Sequence, residues 1–542
     1  EKEKRLKARA RRLIKQVLSN RPKPKAQERA RRLKAFSDAY NAEWSEHYQS
    51  REIVNIIKEA LDAAVRRQAK HGVPGHIHDR GWHYQGLMAH ALINVGEGFQ
   101  ESGLFEKKIN HDGDKETVPI TRREAYARYF QKGFEWRSTK SGARREVSNQ
   151  SMGVSWSLFR MQKALQGLMS AEALPKDKAD RYMYEALGMK PFYAPYPRFD
   201  WVRAAADAGF PFHIITRAGL ALEGGHASHY GELSGTRVAR MAEHVGDPAA
   251  KERAAQIIRA RMTAARRPGN DDAGFRILKK VHAFTFRGNS YPGGLMYLKK
   301  DEELTTAAIL EDSTSLRLAE LYLKHGQFTA KGVRQDRVVR RVEDYLKVQE
   351  MLEERDPRPL PAEPDHEDFA WGDPGSGVFA FKHGDTRVYG SFVLTMPGAV
   401  VPIARILDSR PRIERLADVV TQYKTPTKKG ESISPGGILE GMKFPRTPPP
   451  PKLDSELVGQ WRKHDIRASM AYFYTLLYGD YFIAMNTTEK GTYRERSFRL
   501  KKPERLDRPV KEALDLVSGE MIDLTKAVMV ESESTMILYL GE

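Results

Sequence analysis

Residues 51–65 read REIVNIIKEALDAAV. Ile53, Ile57, Leu61 and Val65 recur every four residues, and Val54 and Ala64 widen the row they form. An apolar row at that spacing is one face of an α-helix packed against a core. Comparable patterns occupy 82–95, 122–136, 150–169, 236–245, 251–265, 302–323 and 338–352, separated by loops rich in Gly, Pro, His and aromatic residues. Amphipathic helices in succession, with chemically rich loops between them, predict an α/α toroid: an incomplete barrel whose concave end is built by the loops.

The pattern changes after 356–368, a stretch dense in Pro and acidic residues that reads as a linker. Short β-branched or aromatic segments bounded by turn residues follow at 377–383, 386–394, 480–486, 493–500, 513–517 and 536–540. Ser518-Gly519 has the composition of a hairpin turn. The Pro-rich tract 445–451 must be an extended loop, because proline donates no hydrogen bond to a sheet. The expected class is therefore α+β and multidomain. It comprises a basic helical segment at 1–50, a catalytic α/α toroid at 51–355, a linker at 356–376 and an antiparallel β-sandwich at 377–542.

A chain of 542 residues exceeds the size at which one core stops growing, which agrees with more than one domain. The net charge of +19 favours polyanionic partners. Nucleic acid, acidic polysaccharide and anionic membrane all qualify, and the absence of a zinc-finger, RNP or helix-turn-helix signature makes nucleic acid the weaker of them. The basic residues of the first 35 or so positions read as a solvated helix face or as a polyanion anchor. No apolar run reaches the roughly 18–20 residues that span a bilayer. The absence of cysteine removes disulfides, thiol catalysis and thiolate metal sites. The first residue is Glu rather than Met, which is expected where an export signal has been removed or where the sequence is cut from a longer one; the first of these gives the expectation of a secreted or periplasmic protein.

Four clusters carry residue types suited to chemistry. The densest is Glu223-Gly224-Gly225-His226-Ala227-Ser228-His229-Tyr230-Gly231-Glu232, which offers two imidazoles and a phenol for proton transfer beside flexible glycines. Its bland alternative is a glycine turn whose histidines cap helices. Ser148-Asn149-Gln150 opens the helix containing Trp156; Asn149 either caps the helix or presents its carboxamide to a substrate carboxylate. His76-Ile77-His78-Asp79-Arg80-Gly81-Trp82-His83-Tyr84 offers Arg80 for a carboxylate or sulfate and Trp82 for a sugar ring, or is a polar loop packed on a helix start. Imidazole also suits Zn and Cu, but the spacing matches no zinc signature, so no metal or cofactor is required. Phe286-Arg287-Gly288-Asn289-Ser290-Tyr291-Pro292-Gly293-Gly294 carries one cation, either a neutraliser of substrate charge or half of a structural ion pair. P-loop, dinucleotide, H-E-x-x-H and nucleophile-elbow sequences are absent.

In chain order these clusters resemble the helical-toroid polysaccharide lyases with a C-terminal β-sandwich, the group that holds hyaluronate, chondroitin, alginate and heparinase-like enzymes. The resemblance rests on the Asn-bearing helix start, on the Gly-rich His and Tyr loop, and on the runs 478–488 and 515–519. It implies β-elimination at a uronic acid, carried onto Asn149, His226 or His229, Tyr230 and Arg287. The candidates for contacting the substrate are His78, Arg80, Trp82, His83, Gln150, Trp156, Arg237 and Tyr291. His226 and His229 sit closer to Tyr230 than in the best-known members, so either is a candidate for the catalytic imidazole.

Such chemistry needs these residue types. The carboxylate beside C5 must be neutralised before the C5 proton leaves, a task for Asn149 and Arg287. A His/Tyr pair can then divide removal of that proton from protonation of the departing O4. The competing readings are an α/α-barrel glycoside hydrolase using Glu223, Glu232 or Asp79, and a non-catalytic polyanion-binding protein.

Overall fold

The computed structural model describes residues 2–19, 26–72, 84–114, 116–140, 148–169, 176–192, 200–222, 232–266, 276–277, 302–324, 337–393, 398–410, 413–426, 432–433, 446–501 and 509–541. Helices α1 (Lys2–Ser19), α2 (Ala26–Asn41), α3 (Arg51–His71), α4 (Tyr84–Asn94), α5 (Gly96–Glu101), α6 (Arg122–Glu135), α7 (Ser148–Leu168), α8 (Lys176–Ala186), α9 (Asp200–Asp207), α10 (Glu232–Val245), α11 (Pro248–Thr263), α12 (Glu302–Leu310), α13 (Ser313–Lys324) and α14 (Val338–Glu354) make up the first part of the chain. Two small ribbons interrupt them. Strand β1 (Lys108–Ile109) pairs with β2 (Ile120–Thr121), and β3 (Ala265–Arg266) with β4 (Arg276–Ile277).

Burial sorts the helices into two kinds. In α3 the buried residues, among them Ile53, Ile57, Leu61 and Val65, follow the stripe read from the sequence, and the other face meets solvent. In α4 and α7 nearly every position is buried, including Gly86, Met88, Leu158 and Phe159. A helix apolar on one side packs by that side, whereas one enclosed all round needs neighbours in every direction. The neighbours follow this division. Helix α2 packs on α4, α4 on α7, α7 on α10, α10 on α12, α12 on α14, and α14 returns to α2. Helices α3, α6, α8, α11 and α13 pack against this circuit. One close approach is glycine-dependent: a Cβ on Gly86 would lie 2.8 Å from the Ser157 Cα, so α4 and α7 meet backbone to backbone.

The apolar pattern at 302–323 predicts a single helix, but two are present. Glu311 takes φ +58°, and the Asp312 carboxylate accepts hydrogen bonds from the Thr314 and Ser315 N–H groups, which ends α12 and starts α13. Within 493–500 only β14 (Phe498–Arg499) is strand. It pairs with β17 (Met529–Val530).

The second part of the chain is antiparallel. Strands β5 (Phe369–Asp373), β6 (Val378–His383), β7 (Thr386–Ser391), β8 (Ile403–Arg410) and β9 (Ile413–Val420) form a five-stranded meander. A seven-stranded sheet holds β10 (Gln422–Pro426), β11 (Ser432–Ile433), β12 (Phe473–Tyr478), β13 (Tyr481–Asn486), β15 (Glu512–Asp515), β16 (Glu520–Asp523) and β18 (Ser534–Tyr539) in the order β11-β10-β12-β13-β18-β15-β16. Helix α15 (Ser455–His464) lies between β11 and β12 in the chain. Phe379, Phe381, Val388 and Ile406 of the first sheet share one buried cluster with Tyr474, Ile483, Met485 and Ile537 of the second. The expected turn at Ser518-Gly519 joins β15 to β16, with Gly519 at φ +76°. Asn486-Thr487-Thr488 reads as a strand-end turn rather than a glycosylation acceptor; the Asn486 side chain is fully buried at the end of β13 and donates to the Arg496 and Val530 carbonyls, as a strand end requires.

The stretch 356–376 contains β5 and is packed. Glu363 is buried and accepts hydrogen bonds from both Arg317 Nε and Nη2. Helices and sheets meet at Asp373, whose carboxylate accepts from the Thr216 hydroxyl, the Ser376 hydroxyl and the Gly375 N–H. Burial pushes the Asp373 carboxyl up from 3.8 to about 6. An acid whose folded pKa is raised costs nothing below its unfolded pKa and destabilises increasingly as pH rises towards its folded pKa. Asp373→Asn is therefore expected to gain about 3 kcal/mol relative to wild type between pH ~4 and ~7. Urea unfolding at the two pH values measures it, and a constant difference would contradict this account of Asp373.

Candidate functional site

Helix direction decides which loops can cooperate. Trp156 of α7 lies beside Arg240 and His244 of α10, and Phe159 beside His244, so the contacts advance together along the two helices. The last turns of α10 and α12 line one cavity of about 460 Å³ through Ala242, Glu243, Ala308 and Ile309. Helices α10 and α11 are joined by Gly246-Asp247, and α12 and α13 by Glu311-Asp312, as antiparallel hairpins. Helices α7, α10 and α12 thus run in one sense, with their starts at a common end.

Three of the four predicted clusters abut a helix start in the chain. The His-rich stretch ends at Tyr84, the first residue of α4. Ser148, Asn149 and Gln150 form the first turn of α7, and Glu232 opens α10. The fourth cluster precedes α12. His78, Arg80, Trp82, His83, His226, His229, Tyr230, Arg287 and Tyr291 lie outside the described residues, as do the side chains of Asn149 and Gln150. Arg237 is half-buried in α10.

Trp156 is seven residues beyond Asn149 and Arg160 eleven, so all three fall within about 20° of one helical face. The Arg160 guanidinium lies 3.7 Å from the Trp156 ring centroid. One face of the Trp156 indole, a candidate for contacting the substrate, is therefore taken by an arginine. Arg240 of α10 lies 6.0 Å from the same centroid. Both arginines are buried, at 4% and 8% exposure. Burial lowers Arg160 to about 9 and Arg240 to about 10; other cations, Arg240 for the first and Arg337 and Arg341 for the second, push the same way.

No protein-family model and no curated protein matches the chain.

Polar residues continue around the same helices. Asp38 of α2 pairs with Lys34 and lies 2.7 Å from the His90 Nε2 of α4, while Asn94 donates to Asp38 at 3.2 Å. Burial, with the Arg160 charge, holds the His90 imidazole down at about 3, and burial holds His244 well below its ordinary value, so both are neutral near pH 7. On α14, Asp344 is bound by Arg340, Arg341 and Thr305. Glu343, lining the cavity, is pushed by burial up to about 7.

Arg160, Arg240, His90 and Asp38 are absent from the sequence reading because charged residues within a helix ordinarily mark its wet face. A signal was present: Arg160 is flanked by Leu158, Phe159 and Met161, and Arg240 by Val238, Ala239, Met241 and Ala242. Among the described residues, no group of acidic, His or Cys side chains is arranged to hold a metal, and no helix is long and apolar enough to cross a membrane.

Proposed function

We propose that this protein is a polysaccharide lyase that cleaves a uronic-acid-containing acidic polysaccharide by β-elimination, leaving 4,5-unsaturated uronate ends. The reading is carried by one observation: three clusters rich in His, Tyr, Asn and Arg abut in the chain the starts of α4, α7 and α10, the last two of which run in one sense, and the fourth cluster precedes α12 in the chain. The circuit of α2, α4, α7, α10, α12 and α14, backed by one-sided helices, supports an α/α toroid. The core common to the five- and seven-stranded sheets supports a β-sandwich.

On this reading Asn149 and Arg287 hold the uronate carboxylate so that charge can develop at C5. Tyr230 transfers the proton with His226 or His229 as its partner. His78, Arg80, Trp82, His83, Gln150, Arg237 and Tyr291 contact neighbouring sugars, and Trp156 contributes through the indole surface that Arg160 leaves open.

The charge of +19 steers the polyanion towards the cleft. Capture at sub-saturating substrate is expected to weaken as salt rises towards ~0.15 M, where the Debye length has fallen to about 8 Å. Initial rates across a salt series measure this, and a salt-independent kcat/KM would remove steering from the account. Product masses test the reaction itself. Elimination gives new non-reducing ends lighter by one water than hydrolysis does, so fully hydrated ends would instead support the paired-carboxylate hydrolase.

A further inference from the structure

Arg160 and Arg240 are buried cations with carboxylates in their surroundings but, among the described residues, none in direct contact. Among the described residues neither makes a hydrogen bond or an ion pair, and Arg160 Nε, Arg240 Nη2 and the Trp156 Nε1 are enclosed with no acceptor. All three are donors, and all belong to groups gathered at one indole. The neighbouring carboxylates are committed elsewhere: Asp38 to Lys34, His90 and Asn94, Glu243 to Arg340, and Asp344 to Arg340, Arg341 and Thr305. Burying a guanidinium without hydrogen bonds is expensive, and a buried pair repels itself. Donors without acceptors, in surroundings with excess positive charge, fit a ligand that supplies acceptors and negative charge.

We propose that Arg160 and Arg240, with the Trp156 indole N–H, form a binding site for an oxyanion of the carboxylate or sulfate class. Planar guanidinium forks match such groups in two-point contact, which a halide does not use. The anion has two sources: a free inorganic oxyanion, or a charged substituent of an acidic sugar chain. The second source rests on the proposed function. Trp156 lies two turns below Asn149 on the same helical face, about 10 Å along the axis, which is within reach of a chain bound at the start of α7.

Equilibrium dialysis of the full chain with radiolabelled sulfate, in a fixed chloride background, tests the site without requiring turnover. One saturable equivalent is expected in wild type, with at least tenfold weaker binding in Arg160→Met and Arg240→Met and unchanged binding in Arg259→Met, an exposed control. Removing an unpaired buried charge should leave these variants folded by circular dichroism. If Arg160→Met does not fold, Arg160→Lys keeps the charge but not the fork, and the same weakening is expected. Displacement of sulfate by an unsulfated uronate oligosaccharide assigns the site to the sugar chain. Saturable sulfate that the oligosaccharide leaves in place assigns it to a free anion, whether or not the lyase reading survives. Equal uptake by wild type and both methionine variants, or no saturable class in wild type, overturns the proposal.

Discussion

Tyr230→Phe is expected to lower turnover on a cleavable acidic polysaccharide by about 10²- to 10⁴-fold, the range of a single general acid–base contribution. The substitution removes a hydroxyl and keeps the ring, so KM and the unfolding midpoint should change little, as for an interaction made only in the transition state. Tyr230 stands two residues before Glu232, the first residue of α10, whose start shares one end of the helical region with that of α7 and hence with Asn149. His226→Ala and His229→Ala should then separate, the more damaging one identifying the imidazole that works with the phenol. Near-normal turnover by Tyr230→Phe would make the tyrosine structural and remove it from the mechanism.

Asp344→Ala is expected to cost about 3–5 kcal/mol of stability, because it strands the charges its carboxylate neutralises. Asp344 and Arg341 are each 1% exposed, and Asp344 also accepts from Arg340 Nε at 2.9 Å and from Thr305. The Thr305 contact ties α14 to α12, while the two arginines share α14 with Asp344. Removing Arg341 as well should recover part of the loss, since the pair then leaves together rather than leaving one ion unpaired. Urea unfolding of Asp344→Ala, Arg341→Met and the double variant measures the coupling. Strict additivity would show that Asp344 and Arg341 do not act as a unit.

The helices outside the circuit were legible because their evidence is a one-sided stripe: α3, α6 and α11 fall close to where the apolar spacing puts them. The inner circuit was not legible as such. Helices α4, α7 and α12 are buried nearly all round at their described positions, and a sequence that does not confine its polar residues to one face does not say which neighbours enclose it. The break between α12 and α13 was missed because Glu311 and Asp312 look like ordinary helix-surface residues; only a positive φ and an Asp cap reveal a turn there. Strands such as β8 and β9 escaped notice because they mix charged and apolar residues, as in Arg405 paired with Asp418 across the ladder. At the candidate site, residue types and their placement before helices were readable. The arginines beneath were hidden by the rule that charge means solvent.

Ultraviolet absorbance during incubation with a panel of acidic polysaccharides tests the central claim most directly, because elimination creates a C4–C5 double bond conjugated with the uronate carboxylate. Absorbance is expected to rise with at least one uronic-acid polymer, with the rise lost in Tyr230→Phe. Release of reducing ends with no rise in absorbance would contradict the lyase reading.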